Sequence, residues 1–299
     1  MRVTNKLMAD TVVNNLFKNT ERLLRTQTMI SSGKRINRPS DDPMGMSQVL
    51  GYRKTVSSID QYEKNINHGV SWLGISDSAL ETVDSLLIRA KELAVNQATD
   101  TATAETRLIA AEEVKNLYDQ IMQLANSKSG NSYIFAGHKT DTSPYSRDNN
   151  FNATYNGDDG DIRIIIGENV EISINGKGID IFGSGPGSAV DIFDILRDLN
   201  DGMEINDPDA IAAQIDLLSD CLDQVLKARA DVGAELNRLE STANYWGEFK
   251  LNVTKMLSET EDADFTKAVT ELATQEAIYE ASLGATSMMI QPTLINFLM

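Results

Sequence analysis

The longest periodic stretch of the sequence covers residues 209–257 and reads DAIAAQIDLLSDCLDQVLKARADVGAELNRLESTANYWGEFKLNVTKML. Apolar residues recur along it at alternating steps of three and four, which is typical of an α-helix with one buried face. At about 1.5 Å per residue this helix would be about 70 Å long. The apolar positions are Ile211, Ile215, Leu218, Leu222, Val225, Val232, Leu236, Leu239, Ala243, Trp246, Val253 and Leu257.

Both ends of the chain carry weaker versions of the same pattern, in which polar residues occupy some positions of the apolar face. In the first arm these are Thr20 and Gln27, and in the last arm they are Glu276 and Thr286. Helices of this kind are marginal alone, so we expect them to gain burial on assembly. Their apolar positions are Val13, Leu16, Leu23 and Ile30 at one end and Phe265, Val269, Leu272, Tyr279, Leu283 and Ile290 at the other.

Two further helices are predicted between the first arm and the middle of the chain. A loop at residues 31–43 precedes the second helix, which would have Ser40 or Asp41 as its N-cap and Pro43 in its first turn. The third would start at about Thr103 and break at residues 126–130. Long helical segments therefore flank the middle of the chain on both sides.

The middle of the chain alternates apolar and polar residues instead. Alternation at residues 151–155, 162–166 and 170–174, with turns between them, predicts three strands in a meander. A short amphipathic helix with Val190, Phe193, Leu196 and Leu199 follows. The predicted fold is mainly α with a small β insertion, in which the N- and C-terminal segments form a long antiparallel helical, coiled-coil rod.

Three regions are expected from these patterns. Residues 1–41 and 260–299 would be terminal coiled-coil arms, residues 42–139 and 203–259 a helical rod domain, and residues 140–202 a small β-rich outer domain.

Composition excludes several classes of function. The 299 residues include 27 basic and 44 acidic ones, a net charge of −17, which argues against nucleic-acid binding. One cysteine and two histidines cannot form a disulfide framework or a Cys/His metal site, and aromatic residues, at 6%, predict no large aromatic core. The sequence has no long apolar run, so we expect no membrane span. It has no apolar region near Met1, so we expect no cleaved secretory leader.

The charge is distributed unevenly. Residues 1–60 hold ten basic and five acidic residues, a net charge of +5, whereas residues 260–299 hold one basic and six acidic residues, a net charge of −5. Complementary charge favours pairing of the two ends, in one chain or between neighbouring copies, over binding of an anionic polymer or a membrane.

Several motifs resemble those of the flagellin superfamily. Residues 30–37 (ISSGKRIN) and 39–45 (PSDDPMG) are similar to its N-terminal signature, and residues 262–265 (DADF) with the following helix are similar to its C-terminal partner. Residues 131–140 (NSYIFAGHKT), residues 155–160 (YNGDDG) and the ending at 294–298 (LINFL) resemble the branch that joins hook to filament.

The resemblance implies a structural, non-enzymatic subunit of the bacterial flagellum, without a cofactor, that forms the hook–filament junction and seeds flagellin polymerisation. It implies a ring of copies touching hook-associated protein 1 and flagellin, a dedicated export chaperone, and secretion through the flagellar type III channel to an extracellular position. The expected assembly interface comprises Val13, Leu16, Leu23, Ile30, Arg35, Asn37, Asp41, Asp42, Phe265, Val269, Leu272, Tyr279, Leu283, Ile290, Leu294 and Leu298.

Three alternatives stay open at this point. The chain could be a short flagellin that forms the filament itself. The β insertion could be an adhesion or calcium-binding module, with oxygen ligands from Asn156, Asp158, Asp159 and Asp161, although their spacing lacks the order of a calcium loop. A hydrolase is disfavoured, because no nucleophile and base occur in a recognisable arrangement.

Overall fold

The computed structural model of the protein describes residues 2–99, 101–185 and 190–290. Its described elements are mostly long helices with short strands in the middle of the chain, which confirms the predicted mainly α fold with a small β insertion. The helices are α1 (Arg2–Ser32), α2 (Pro43–Gln97), α3 (Ala104–Ala125), α4 (Gly178–Ile181), α5 (Ile192–Glu204), α6 (Pro208–Glu261) and α7 (Phe265–Ile290). The strands are β1 (Lys128–Ser129), β2 (Ser132–Tyr133), β3 (Tyr145–Arg147), β4 (Ala153–Tyr155), β5 (Arg163–Gly167) and β6 (Val170–Ser173).

The chain divides into two compact units. Unit 1 comprises the described residues of 1–58 and 248–299, and unit 2 comprises those of 59–247. All six strands and the helices α3, α4 and α5 lie in unit 2, whereas α1 and α7 lie in unit 1. The predicted boundaries of arms, rod and outer domain stay a prediction.

Local capping decides where α2 and α3 begin. The predicted N-cap of α2 was wrong: Asp42, not Ser40 or Asp41, caps this helix, since its Oδ1 accepts the Gly45 N–H at 2.9 Å. The helix then begins at Pro43, whose missing N–H costs nothing in a first turn. Helix α3 starts where predicted, with Thr103 in a reciprocal capping box with Thr106.

The strands form three separate two-stranded antiparallel sheets, so the predicted three-stranded meander is also wrong. Strand β4 pairs with β3 rather than with β5, and β5 pairs with β6. The reason lies in the loop after β4, where the Asp158 N–H donates to the Ala136 carbonyl at 3.2 Å and its carboxylate accepts the His138 N–H at 2.6 Å. These bonds draw the loop onto residues 136–138 and away from a turn into β5.

Aromatic side chains gather beside these sheets. Their ring centroids lie 5.1 to 6.4 Å apart, mostly tilted or edge to face, an arrangement that adds to the stabilisation from burial alone. The expectation of no large aromatic core therefore does not hold in the β-containing part, where a low overall content is concentrated in one place. The cluster consists of Tyr118, Phe135, Tyr145, Phe151, Tyr155, Phe182 and Phe193.

Each buried hydroxyl of this cluster has a carbonyl partner. Tyr145 donates to Gly183 at 3.2 Å and Tyr118 donates to Phe151 at 2.9 Å, so neither leaves an unpaired polar atom in the core. Burial raises the pKa of both phenols above the usual value, and it raises the pKa of Tyr155 to about 12. These tyrosines therefore stay neutral at physiological pH.

The β5–β6 hairpin is attached to the parts of α2 and α6 that lie in unit 2 by two side-chain donors. Trp246 of α6 donates its indole N–H to the Ile166 carbonyl at 2.7 Å, and Asn65 of α2 donates to the Ile165 carbonyl at 2.7 Å. The Trp246 ring also lies 5.2 Å from the ring of Tyr62. Both bonds fall at the irregular register between Ile165 and Gly167, where the hairpin ladder leaves carbonyls available.

Within residues 2–99, 101–185 and 190–290, none of the helices combines the length and the apolar character needed to cross a bilayer.

The aromatic cluster predicts a large difference between two substitutions at one residue. Tyr145 is 2% exposed, so Tyr145→Ala should lower the free energy of unfolding of unit 2 by about 3–5 kcal/mol through the cavity it leaves. Tyr145→Phe keeps the ring and loses one hydrogen bond, and should cost about 1 kcal/mol. Urea unfolding followed by tryptophan fluorescence measures both, because Trp72 and Trp246 lie in unit 2. Equal losses would contradict the assigned packing.

Candidate assembly interface

Helices α1 and α7, which contain most of the predicted interface residues, pack against each other in unit 1. Asn19 donates to the Ser282 hydroxyl at 3.0 Å, and Thr26 donates to the Gln275 side-chain carbonyl at 2.9 Å. From one bond to the next the chain advances seven residues on α1 and goes back seven on α7. The helices are therefore antiparallel, and their contact repeats every two turns.

Five of the predicted interface residues lie on this seam. Their side chains are half-buried, and each stands three or four residues from one of the hydrogen-bonding residues on the same helix, which places them on one face. They are Leu16, Leu23, Ile30, Leu272 and Tyr279.

Three of the four predicted polar positions of the seam, Thr20, Gln27 and Glu276, were wrong by one residue, whereas Thr286, half-buried and four residues after Ser282, lies on the seam. Asn19 and Thr26 face α7 where Thr20 and Gln27 were expected, and Gln275 takes the place expected for Glu276. The side-chain hydrogen bonds to Ser282 and Gln275 fix the rotation of α1 about its axis, since Asn19 and Thr26 can reach α7 only when they point toward it. Gln27 and Glu276 are exposed.

Eight large apolar side chains of the two helices are on the surface. They are 42% to 69% exposed, and seven of them form a stripe along each helix beside the seam. The stripe of α1 consists of Leu7, Val13, Phe17 and Leu24, and the stripe of α7 consists of Phe265, Val269 and Leu283, whereas Ile278 lies on the other flank of the seam, near Asn19 and Arg22. Four predicted interface residues, Val13, Phe265, Val269 and Leu283, are among them. Contiguous exposed apolar surface of this kind is typical of an interaction site.

Three predicted interface residues cannot be placed. Leu294 and Leu298 lie outside the described residues, as does the side chain of Ile290.

A buried carboxylate joins the segments that follow α1 and precede α7. Glu261, the last residue of α6, is 3% exposed and pairs with Lys34, whose Nζ lies 2.8 Å from Oε1, and with Arg53. Around it the Arg35 N–H donates to the Glu261 carbonyl at 2.7 Å, and Lys34 and Asp262 form a β-bridge. We call Lys34, Arg53 and Glu261 the Glu261 cluster. It pairs the basic first segment with the acidic last one, as the charge distribution predicts.

The turn between α1 and α2 is held by two adjacent carboxylates. Asp41 accepts the N–H groups of Asn37 and Arg38 at 3.2 and 2.9 Å, whereas Asp42 caps α2. The Gly45 N–H, together with the guanidinium of Arg35 at 3.3 Å, holds the pKa of Asp42 below its ordinary value. The predicted residues Arg35, Asn37, Asp41 and Asp42 therefore form one folded turn.

Two glycines are required at the ends of this turn. Gly33 has φ +70°, a left-handed conformation that ends α1 and suits glycine best. A Cβ on Gly45 would stand 2.5 Å from an Asp42 oxygen and 2.6 Å from Cδ1 of Ile36, which is 2% exposed. The motif residues around 30–45 are thus explained by local folding.

The predictions missed several residues of the interface. Glu261, Lys34 and Arg53 were not singled out, because the opposite net charges of the two ends show that the ends attract but not which groups meet. Thr26 and Gln275 were missed because polar residues on an amphipathic helix give no signal of their partners.

Two of the three carboxylates of the alternative calcium site, those of Asp158 and Asp161, are engaged by other groups. Asp158 accepts backbone N–H groups, and the carboxylate of Asp161 is 3.3 Å from Lys177 and 3.5 Å from Arg163. In the described part of the chain, His, Cys, Asp and Glu residues form no group of three or more that could hold a metal ion. Cys221 is fully buried, and burial raises its pKa to about 12, so its thiol is unreactive at neutral pH.

The Glu261 cluster predicts local opening when the carboxylate is removed. Glu261→Ala leaves two half-exposed cations unpaired, and we expect a cost of about 1–3 kcal/mol, between the values for exposed and buried pairs. Exchange of the Arg35 and Ala263 amide hydrogens, which bond across this junction, should then be about tenfold faster or more. Glu259→Ala, at an exposed position two residues earlier, is the control. Unchanged protection in Glu261→Ala would contradict the role assigned to the cluster.

Comparison with known proteins places this architecture in a family. Residues 3–140 match the family described as the bacterial flagellin N-terminal helical region, and residues 215–298 match the bacterial flagellin C-terminal helical region. The chain is 26% identical to flagellar hook-associated protein 3 of Escherichia coli, over 95% of this chain and 96% of that protein. It is also 26% identical to a flagellin of Bacillus subtilis, over 94% of each chain.

Solved structures have the same fold. FlgL of Bacillus cereus has a TM-score of 0.61 at 19% identity, covering 70% of this chain and 99% of that one. The flagellar junction protein FlgL of Legionella pneumophila has a TM-score of 0.60 at 16% identity, covering 73% of this chain and 100% of that one. The two matched helical regions contain α1, α2 and α3 at one end and most of α6, with α7, at the other. The chain therefore belongs to the flagellin superfamily of bacterial flagellar proteins.

Proposed function

We propose that this chain is a structural subunit of the bacterial flagellum that forms the junction between hook and filament and seeds flagellin polymerisation. The observation that carries this proposal is similarity along nearly the whole chain to proteins named flagellar hook-associated protein 3, in Escherichia coli and in Salmonella typhimurium. The likeness in fold to a flagellar junction protein supports it. The family is one of structural flagellar proteins, and we propose no catalytic role.

The mechanism we propose is assembly driven by the exposed stripes of α1 and α7. Full burial of one such side chain contributes roughly 1.5–3 kcal/mol, so covering seven that are about half exposed would contribute on the order of 10 kcal/mol per copy. Association itself costs roughly 4–15 kcal/mol. The gain and the cost are of similar size, so we propose that stable assembly requires contacts with several neighbours at once.

The proposed partners are those that the family resemblance implies. We propose a ring of copies of this chain, with hook-associated protein 1 on the hook side and flagellin on the filament side. The shared N- and C-terminal helical regions support this, because helices of one family can continue one packing pattern from layer to layer. We further propose that an export chaperone binds the chain before it leaves the cell through the flagellar type III channel, and that its final position is extracellular.

A deletion strain tests the function directly. Without this chain, we expect electron microscopy to show bare hooks, and we expect unpolymerised flagellin in the culture medium because the filament has no base on which to start. Restoring the gene should restore filaments. Bare hooks without any major filament protein in the medium would identify the chain as a flagellin, and normal motile filaments would contradict both functions.

The proposed mechanism predicts that the stripes matter for assembly but not for folding. The combined change Phe17→Ser and Leu283→Ser, at side chains 69% and 43% exposed, should alter the free energy of unfolding by less than about 0.5 kcal/mol per site. It should nevertheless abolish swimming and incorporation into flagella, measured by motility in soft agar and by immunoblotting of isolated flagella.

The matched control makes the same change on the exposed face of the β5–β6 hairpin. Ile165→Ser with Val170→Ser, at 50% and 43% exposure, should leave motility unchanged. If this control were as defective as the stripe variant, the stripes of α1 and α7 would have no special role.

A further inference from the structure

A groove in unit 1 lies between the second half of α1 and the turn that follows it. It encloses about 380 Å³. Leu24, Thr28 and Met29 of α1 line one side, and Leu24 is 55% exposed although it is apolar. An open groove with an exposed leucine has room for an apolar side chain.

Three arginines border this groove: Arg25, Arg35 and Arg38. Arg25 lies 3.5 Å from Asp41, and Arg35 donates to the Thr260 carbonyl at 2.8 Å in addition to its pair with Asp42. Within the described residues the Arg38 guanidinium has no hydrogen-bond or ion-pair partner.

The acids of the groove offset most of this charge. Asp41 pairs with Arg25, Asp42 pairs with Arg35, and Glu21 is a further acid on the rim. Arg38 is therefore the cation of the groove that is free to pair with an acidic group of a partner.

The same unit presents a segment with the complementary chemistry. Residues 262–265 read Asp-Ala-Asp-Phe, and Phe265 is 62% exposed, the largest value among the exposed apolar residues of α7. Asp262 and Asp264 are exposed and both precede it in the sequence, Asp264 directly. An exposed apolar ring next to a carboxylate matches a groove that holds an exposed leucine and the guanidinium of Arg38.

The Asp-Ala-Asp-Phe segment has a fixed conformation. Asp262 forms the β-bridge with Lys34, and the Ala263 N–H donates to the Gly33 carbonyl at 2.9 Å. Asp264 caps α7 by accepting the Lys267 N–H at 3.1 Å with one carboxylate oxygen, which leaves the other available. Because the segment is already ordered, its binding would lose little conformational entropy.

We propose that Phe265 of one copy, together with Asp264, inserts into the Arg38-bordered groove of a second copy of this chain. The proposal rests on the proposed junction function and specifies one contact between copies. Groove and segment are different surfaces, so the contact is head to tail. A repeated head-to-tail contact closes into a ring when its rotation allows, whereas a twofold contact stops at a dimer.

Disulfide trapping tests this contact in assembled flagella. Cys221 is buried, so it gives little background. A tagged Thr28→Cys chain and an untagged Phe265→Cys chain are produced together in place of the unsubstituted chain, and isolated flagella are oxidised. We expect a tagged–untagged dimer as the main cross-linked product, because the proposed contact brings residues 28 and 265 of two copies together. A disulfide requires Cα atoms about 4.4–6.8 Å apart, so its formation reports that contact.

The control pairs Thr28→Cys with Ile278→Cys, which is also exposed on α7. A stronger cross-link in this pair than in the Phe265→Cys pair would overturn the proposal, because another part of α7 would then occupy the groove.

The charge of the groove is tested in the same background. Arg38→Glu should lower the yield of the cross-link at least fivefold, or remove the chain from flagella, whereas Arg38→Lys should retain both. An unchanged yield with Arg38→Glu, or equal loss with Arg38→Lys, would contradict the role of this cation.

The outcomes separate the contact from the function on which it rests. If the unsubstituted chain is absent from isolated flagella, the proposed function fails and the contact fails with it. If the chain is present and the cross-link between residues 28 and 265 is missing, the contact alone is wrong.

Discussion

Unit 1 depends on the burial of one carboxylate. Glu261 is separated from Arg53 by 208 residues of sequence, yet it pairs with Arg53 and Lys34 where α6 ends. A buried carboxylate without these cations would be costly, so the two distant segments are held together at this point. The β-bridge between Lys34 and Asp262 then sets how far α1 and α7 are displaced along each other. The alignment of Thr26 with Gln275, and of Asn19 with Ser282, follows from that starting point.

This alignment explains why so much apolar surface remains outside. Hydrogen bonds between polar side chains take up part of the seam, so its faces contribute fewer buried apolar atoms than a leucine-rich coiled coil would. The remaining apolar residues of α7 cannot also turn toward α1, because they lie on a neighbouring face of the helix. The sequence of each arm therefore serves two contacts at once, a partly polar one within the chain and an apolar one directed outward.

Periodicity was sufficient to predict the long helices, because their apolar positions repeat over many turns. It could not decide between neighbouring candidates: Ser40, Asp41 and Asp42 are all suitable caps, and only the bonds from Asn37 and Arg38 to Asp41 leave Asp42 for that role. The seam between α1 and α7 shows the same limit. Leu16, Leu23 and Ile30 fit both the predicted and the observed rotation of α1, so they could not show which polar residues face α7. Alternation predicted strands but not their partners, which depend on contacts as distant in sequence as that between Asp158 and His138. The Glu261 cluster joins residues whose pairing no local pattern encodes.

The β5–β6 hairpin shows how this fold could diversify without losing its framework. Its connection consists of Glu168 and Asn169, both exposed, with Asn169 in a left-handed conformation at φ 59°. The bonds from Trp246 and Asn65 hold the strand before this connection, not the connection itself. Extra residues inserted at the tip would therefore project from a base that is already anchored, and lengthening a surface loop costs little additional closure entropy. Such a site is suited to carrying variable epitopes or grafted peptides at the surface.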